Sequence, residues 1–208
     1  NELLLAGPLE TGKALCTEVV NPVFWQTIAA TLTRVIGGFT VAFALGCLLA
    51  ALGSKWKSAA DFLAPLMLFC KAVPVACFAV ILLIWWGAGL LSFAICFLVT
   101  LPIIYTNVYE GLRSTDKKLL EMAKVFRMSG LNKIFYIYRP AVAPFFESGI
   151  KTALGMSIKA GVAAEVIGLA DKSIGGAIYM SKIYLDIAGV FAALVIIIII
   201  GIVVEYGL

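Results

Sequence analysis

The sequence predicts an all-α membrane protein whose helices cross the bilayer several times. Of its 208 residues, 62% are hydrophobic and 13% are charged, whereas a soluble domain usually carries about 25% charged residues. The mean hydropathy is +1.06. A water-soluble fold of this length has too little interior to hide so much apolar surface. We therefore expect one polytopic transmembrane helix bundle without an attached soluble domain.

Five segments are apolar over the length of about 20 residues that a membrane-spanning helix needs. They are predicted at about 25–52, 61–86, 88–109, 144–169 and 187–206. The second segment is interrupted by the sequence Lys71–Pro74, and Pro102 predicts a kink in the third, because proline removes a backbone donor from a helix. Residues 1–24 precede the first span and are expected to form a loop or a short amphipathic helix.

The orientation of the spans follows from the lysine and arginine residues in the short loops. Lys55 and Lys57 follow the first span, and seven basic residues lie between 113 and 139, after the third. If the five spans alternate in direction, both basic loops lie on one side, which is predicted to be the cytoplasm. The expected organisation is an extracytoplasmic segment over 1–24 and a transmembrane domain over 25–208, with a cytoplasmic loop at about 110–140.

The cytoplasmic loop has the pattern of two short helices joined by a turn. Ser114 or Thr115 is a suitable N-cap, with Asp116 in the first turn. Ser129–Gly130 is expected to end this helix, and Pro140 is expected to end a second short helix. An apolar stripe occupies the i, i+3, i+4 and i+7 positions of one face of the first helix. The stripe consists of Leu119, Met122, Ala123 and Phe126.

The charged residues of the first helix, Lys117, Glu121 and Lys124, lie on its other face. One interpretation is a helix that lies on the bilayer surface, or a solvated linker. The other is a helical protrusion that fits a groove on a partner protein. We favour the partner, because a solvated linker needs no apolar stripe and a surface helix seldom needs a glycine turn and a second helix.

Several classes of chemistry are not indicated by the sequence. Histidine, the commonest metal ligand and general base, is absent, and no phosphate-binding loop of the GxxxxGK[ST] type occurs. The five cysteines have no metal-ligand spacing, and four of them lie in apolar segments, where cysteine packs as a small apolar side chain. We therefore predict no catalytic residue and no metal site, and we expect lipid around the spans and no nucleic-acid partner.

The loop resembles the cytoplasmic loop of binding-protein-dependent ABC importer permeases. In that family the loop reads E-A-A, three residues, G, nine residues, I, one residue, L-P. The positions that match here are Glu121, Ala123, Ile137 and Pro140. Three positions depart from the pattern, where Met122 replaces the first alanine, Arg127 the glycine and Arg139 the leucine. Gly130, three residues after Arg127, is therefore expected to supply the turn.

Four further segments resemble the nitrate/sulfonate/taurine-type permeases in order and spacing: TLTRVIGGF, PLMLFCKAVPVACFAVILLIWWGAG, LPIIYTNVYEGLRS and ALGMSIKAGVAAEVIG. The resemblance covers essentially the whole chain. It implies the five-helix core of type I ABC importer permeases, often preceded by one further span, in a bacterial plasma membrane. It also implies two ATPase subunits that bind ATP and magnesium, a second permease copy in a homodimer, and an extracytoplasmic solute-binding protein. No cofactor is expected in this chain.

The resemblance assigns the loop to ATPase coupling, as a coupling helix that docks in a cleft of the ATPase subunit. Energy from ATP hydrolysis would then reach the membrane domain mechanically, through a rigid protrusion. The residues expected to take part are Leu119, Glu121, Met122, Ala123, Lys124, Phe126, Arg127, Gly130, Ile137 and Pro140.

Ionisable residues and a helix break at membrane depth predict a translocation pathway. The candidates are Arg34, Lys71, Pro74, Lys159 and Glu165. For Arg34 and Glu165 we prefer a structural role, in which they neutralise each other or cap backbone groups. Lys71 and Lys159 indicate a cation-lined pathway, which suits an anionic solute. Two rows of small residues on the fourth span predict close helix packing: Gly149, Ala153, Ser157 and Gly161, and Ala160, Ala164 and Gly168.

The predicted function is the permease subunit of an ATP-driven importer for a small anionic solute such as nitrate, a sulfonate or taurine. Bicarbonate and vitamin precursors stay open as solutes, and so does pairing with a sister permease in place of a homodimer. A secondary transporter or channel is the main alternative, but it would need an ion-coupling site of its own and internal repeats, and the sequence has no clear repeat. An intramembrane enzyme would need a nucleophile or metal set at membrane depth.

Overall fold

The computed structural model describes residues 6–206, which form helices joined by short turns and contain no strand. A π-helical segment, Ile134–Tyr138, joins the seventh α-helix to the eighth without a break. The all-α fold class is confirmed. The ten described α-helices are α1 Pro8–Val20, α2 Pro22–Lys55, α3 Lys57–Ala72, α4 Val75–Trp86, α5 Ala88–Arg113, α6 Lys117–Val125, α7 Gly130–Lys133, α8 Arg139–Gly168, α9 Ile174–Ile183 and α10 Ile187–Tyr206.

Three of the described helices, α2, α5 and α10, are long and apolar enough to cross a membrane. Tryptophans mark both ends of α2, because Trp25 lies near its start and Trp56 directly follows its last residue. Aromatic side chains favour the two membrane–water interfaces. The predicted boundary at residue 25 is slightly late, since α2 begins at Pro22 and Asn21 caps it through a hydrogen bond from the Val23 N–H.

The second predicted span is bent. α3 ends at Ala72, α4 begins at Val75, and the two helices are bent by 96° at the break between them. If this pair counts as one span, four spans among the described residues qualify by length and composition. Pro74 explains the position of the break, since its missing N–H and its ring prevent the preceding turn from continuing. The predicted interruption at Lys71–Pro74 is confirmed, and the structure adds that the two helices meet there at a sharp bend.

The fourth predicted span is present as α8, whose 30 residues reach about 45 Å at 1.5 Å per residue. It is not among the helices that qualify as spans by apolarity. Ionisable side chains lower its hydropathy, namely Glu147, Lys151, Lys159 and Glu165. The expectation of five apolar spans is therefore corrected to three apolar helices, one bent pair and an ionisable helix.

α8 packs closely against its neighbours along its small residues. Both predicted rows are buried, and a Cβ added at Gly161 would lie 2.7 Å from Cys96 Sγ and 2.8 Å from Val35 Cγ2. The Ser157 and Thr100 hydroxyls form a buried hydrogen bond of 2.9 Å between α8 and α5. The predicted close packing of α8 is confirmed, and it takes place within the chain.

α2 and α5 run parallel, and α8 runs antiparallel to them. Gly38 near the middle of α2 lies beside Phe93 near the start of α5, and Gly53 near the end of α2 lies beside Tyr105 further along α5. The last residue of α8 lies beside Leu91, near the start of α5. The turn after α2 and the loop after α5, both of them basic, therefore lie at the same end of the bundle.

Candidate functional site

The loop after α5 begins its first helix at Asp116. The Asp116 carboxylate accepts a hydrogen bond of 2.8 Å from the Lys118 N–H, so Asp116 is the N-cap of α6. Ser114 instead ends α5, where its hydroxyl donates to the Gly111 carbonyl at 2.8 Å, and Thr115 is buried. The prediction of Ser114 or Thr115 as the N-cap is therefore wrong, because the carboxylate two residues before Lys118 reaches its N–H directly.

Arg127 supplies the turn after α6. Its φ is +48°, in the left-handed region that favours glycine. The Arg127 N–H donates to the Lys124 carbonyl at 3.1 Å and the Met128 N–H to the Ala123 carbonyl at 2.9 Å, the paired bonds of a Schellman helix end. The prediction that Gly130 supplies the turn is wrong, because Gly130 is the first residue of α7. Arg127 thus keeps the backbone conformation of the glycine that it replaces.

Pro140 does not stop the second helix of the loop. α7, the π-helical segment and α8 form one continuous helical path, and Pro140 lies in the first turn of α8. The Arg139 N–H reaches back to the Ile134 carbonyl, five residues earlier. The missing N–H of proline therefore falls where the hydrogen-bond pattern changes from the π to the α spacing, and the helix tolerates it there. The predicted end at Pro140 is wrong.

The predicted apolar stripe divides into a buried and an exposed part. Ala123 is fully buried, and Ile137 further along the loop is 4% exposed, so the chain's own residues cover both. Leu119, Met122 and Phe126 are 43%, 44% and 77% exposed, and we call these three residues the exposed stripe. The other residues assigned to coupling are also exposed: Glu121, Lys124, Arg127, Gly130 and Pro140.

The positive charge of the protein is concentrated in this loop. Residues 114–140 hold six basic and two acidic residues, which gives the loop a net charge of +4, equal to that of the whole chain. The rest of the chain therefore holds equal numbers of basic and acidic residues. A basic loop with an exposed apolar stripe favours a partner surface that is both apolar and acidic.

A cavity of about 510 Å³ lies at the bend between α3 and α4. Two of the residues predicted for the pathway line it, Lys71 from the end of α3 and Lys159 from α8. Pro74 lies at the bend itself, between Val73 and Val75, which also line the cavity. None of the lining residues is acidic, so both charged groups at the cavity wall are cationic.

The first turn of α4 adds to the positive character of this cavity. α4 begins at Val75, on the cavity wall. The first N–H groups of a helix have no partner within it, and the helix dipole places partial positive charge there. In discontinuous membrane helices such ends are used to bind anionic groups. The cavity therefore suits a small anion better than a cation.

Arg34 and Glu165 lie elsewhere, since neither residue lines this cavity. Arg34 Nη1 is 3.4 Å from Glu165 Oε1, and the Glu165 side chain is fully buried. Thr31 on α2 donates its hydroxyl to Glu165 Oε2 at 2.9 Å, and the Gly175 N–H of α9 donates to the same oxygen at 3.3 Å. The carboxylate thus joins α2, α8 and α9. This geometry supports the structural role, and a role of either residue in the pathway stays a prediction.

Sequence reasoning missed Thr31, Thr106 and Gly175, which contact the predicted ionisable residues. Thr106 accepts a hydrogen bond of 2.8 Å from Lys71 Nζ. A Cβ at Gly175 would overlap the Glu165 side chain and lie 2.6 Å from the Val166 nitrogen, so α9 approaches α8 closely only with glycine at this position. These contacts join residues that are distant in the sequence. Since the spans contain many threonines and glycines that make no such contact, nothing in the sequence singled out these three.

Comparisons with known proteins identify the class of the chain. The family described as "Binding-protein-dependent transport system inner membrane component" matches residues 42–207. A "Probable ABC transporter permease protein" of Haemophilus influenzae is 29% identical over 178 residues, which cover 84% of this chain and 71% of the relative. The "Riboflavin transport system permease protein RibX" of Chloroflexus aurantiacus is 27% identical over 82% of this chain and 63% of the relative.

The "Bicarbonate transport system permease protein CmpB" of Synechococcus elongatus is 30% identical over 145 residues, which cover 69% of this chain and 52% of the relative. The chain thus spans between about half and about seven tenths of the length of these relatives. All three names describe permeases, although the solutes that two of them name differ. The resemblance to ABC importer permeases is confirmed, and the chain belongs to the family of binding-protein-dependent transport system inner membrane components.

Proposed function

We propose that this permease is the membrane-spanning subunit of an ATP-driven importer that takes up a small anionic solute. The loop between α5 and α8 docks on a separate ATPase subunit, and the cavity at the α3–α4 bend forms part of the solute pathway. The observation that carries the proposal is the exposed stripe. A basic loop presents exposed apolar side chains, while Ala123 and Ile137 of the same loop are buried by the chain's own residues.

Docking on a partner accounts for the exposed stripe and for the charge of the loop. A helix that enters a groove uses apolar residues one turn apart, as Leu119, Met122 and Phe126 are. Burying one such side chain contributes about 1.5–3 kcal/mol. The six basic residues of the loop add electrostatic steering toward an acidic partner.

The continuous helical path supports mechanical coupling between the loop and the cavity. α7, the π-helical segment and α8 are joined without a break. Lys159 lies on this path, 20 residues beyond Arg139, which corresponds to about 30 Å along the helix. A movement of the loop would therefore shift a cation of the cavity. In an importer that works by alternating access, this is the link between ATP hydrolysis and solute movement.

The anionic solute is inferred from the two lysines, the absence of an acidic lining residue and the start of α4. A relative named for bicarbonate is consistent with an anion, whereas a relative named for riboflavin favours a larger neutral solute. A second permease copy, two ATPase subunits and an extracytoplasmic solute-binding protein complete the proposed transporter. We place it in a bacterial inner membrane with the loop in the cytoplasm.

The test is uptake into vesicles that contain the complete transporter, with bicarbonate, nitrate, an alkanesulfonate and riboflavin as probes. We expect ATP-dependent import of at least one anion, and a fall of at least about tenfold in Lys71→Ala and Lys159→Ala, since removing one ion contact of this kind changes binding by at least ~1.4 kcal/mol. Lys13→Ala, on exposed α1, is the control and should import normally. Import of riboflavin alone would contradict the anionic solute. Import without the ATPase would identify a secondary transporter.

A further inference from the structure

Lys71 is held at the cavity by a chain of two hydrogen bonds. Its Nζ lies 2.8 Å from Thr106 Oγ1 on α5. Thr106 Oγ1 in turn lies 2.7 Å from the carbonyl oxygen of Pro102. Lys71 and Pro102 both line the cavity, whereas Thr106 does not. Thr106 therefore contacts the ammonium group without being part of the cavity wall.

The direction of both bonds is fixed by chemistry. An ammonium group donates hydrogen bonds and cannot accept them, so the Thr106 oxygen is the acceptor from Lys71. A carbonyl oxygen can only accept, so the Thr106 hydroxyl donates to Pro102. Bonds arranged head to tail in this way strengthen each other. Lys71 uses one of its three donors on Thr106 and keeps two for a ligand.

Without such a bond a lysine in a membrane helix has no fixed position. Its long side chain is flexible and tends to extend toward the nearest water. Lys159, the second lysine of the cavity, makes no side-chain hydrogen bond among the residues that the structure describes. The two lysines thus differ, because Lys71 is oriented before a ligand arrives and Lys159 is not.

We propose that Thr106 is a positioning residue for solute binding, which holds the Lys71 ammonium group at the cavity so that an anion finds it already oriented. This inference rests on the proposed function, and it adds a residue that does not touch the solute. Preorganisation of this kind improves affinity by reducing the ordering that binding requires. Loss of Thr106 should therefore weaken binding of the anion and leave the later transport steps intact.

The test compares three variants in the complete transporter. Thr106→Val removes the acceptor at nearly constant shape, and Thr106→Ser restores a hydroxyl. Thr40→Val is the matched control, because the Thr40 hydroxyl also donates to a carbonyl four residues earlier, at 2.7 Å, and has no lysine partner. The probe is bicarbonate, nitrate or an alkanesulfonate, whichever of these anions the wild-type transporter imports fastest.

For Thr106→Val we expect the half-saturating anion concentration to rise about tenfold, the effect of ~1.4 kcal/mol, with the maximal rate within about twofold of wild type. Thr106→Ser and Thr40→Val should stay near wild type. In a Lys71→Ala background, Thr106→Val should have no further effect, since its only role is exerted through Lys71. An unchanged half-saturating concentration in Thr106→Val, or an equal rise in the Lys71→Ala background, would overturn the proposal.

A second measurement tests the contact without any solute. Purified protein in micelles is treated with a small amine-reactive reagent, and the modification of Lys71 and Lys159 is followed by mass spectrometry. Thr106→Val should raise the Lys71 rate about threefold relative to Lys159, because a free and mobile amine reacts more readily, and Thr40→Val should not. An unchanged ratio in Thr106→Val would refute the positioning role. If the ratio changes but no anion is imported, the proposed solute fails and the Thr106–Lys71 contact stands.

Discussion

Replacing Glu165 by alanine is expected to destabilise the fold by about 3 kcal/mol. The change leaves the Arg34 guanidinium group without its counter-ion 3.4 Å away. It also removes the acceptor for the Thr31 hydroxyl and for the Gly175 N–H. Removing one partner of a buried ion pair costs about 3–5 kcal/mol. The lower figure applies because the Arg34 side chain is 24% exposed and keeps part of its hydration.

The assay is thermal unfolding of the purified permease in detergent micelles. In a chain of about 200 residues, 1 kcal/mol changes the Tm by roughly 2–4 °C, so Glu165→Ala should lower it by roughly 6–12 °C. Glu165→Gln keeps an oxygen acceptor for Thr31 and Gly175 and should lower the Tm by roughly half as much. Glu147→Ala, at an exposed position of the same helix, is the control. A Glu165→Ala shift no larger than that of Glu147→Ala would refute the reasoning.

Three further predictions follow from the geometry. Arg127→Gly should stabilise the loop by roughly 1 kcal/mol, since an L-residue is disfavoured at φ +48°, and a lower unfolding temperature would contradict this. Gly161→Val should lower the Tm by several degrees, because the new side chain would meet Cys96 and Val35. Gly155→Ala is the control and should leave the Tm unchanged, since a Cβ there has no atom within 4 Å. Equal shifts in the two variants would contradict the packing of α8. In a background without native cysteines, Asp171→Cys should react with an impermeant thiol reagent added outside intact cells, and Lys118→Cys should not. The reverse labelling pattern would show that the predicted orientation in the membrane is wrong.

The spans were predictable because hydropathy adds up over about 20 residues and tolerates local exceptions. The break at Pro74 was predictable too, since a proline acts on its own turn. The bend of 96° at that break was not, because an angle between two helices depends on the side chains that pack on both. α8 was predicted as a span too, but it is less apolar than the other spans because it carries ionisable residues, and its small residues are buried within the bundle.

The loop shows what local rules can and cannot decide. They predicted the first short helix and its stripe, but they ended the second helix at Pro140, where the helical path continues into α8. They also assigned the turn to Gly130, whereas the hydrogen bonds of the helix end place it at Arg127. Ala123 is fully buried and Phe126 is 77% exposed, although both belong to one predicted stripe. Burial depends on the residues that pack against each side chain, and the periodicity of one helix gives no information about them.

Contacts at the candidate site join distant parts of the chain. Lys71 and Thr106 are 35 positions apart, and Thr31 and Glu165 are 134 apart. The sequence identified the charged members, because an ionisable residue at membrane depth is rare. It did not identify the threonines, because a hydroxyl in a helix commonly bonds to its own backbone, as Thr40 does here.

The central claim is that the exposed stripe docks on an ATPase subunit. Phe126→Asp places a carboxylate in that contact, where an unpaired buried charge costs several kcal/mol. The permease should still fold, because Phe126 is 77% exposed in the chain alone. Ala123→Asp is unsuitable, since Ala123 is fully buried and the change would disturb the loop itself. Tyr184→Asp, at a residue 78% exposed after α9, is the matched control.

The most direct measurement is co-purification of the ATPase with each permease variant, together with solute-stimulated ATP hydrolysis in reconstituted membranes. Wild type and Tyr184→Asp should retain the ATPase and its stimulation. Phe126→Asp should lose both while inserting normally into the membrane. If Phe126→Asp keeps the ATPase and full stimulation, the exposed stripe does not form the coupling contact, and the assignment of this loop is wrong.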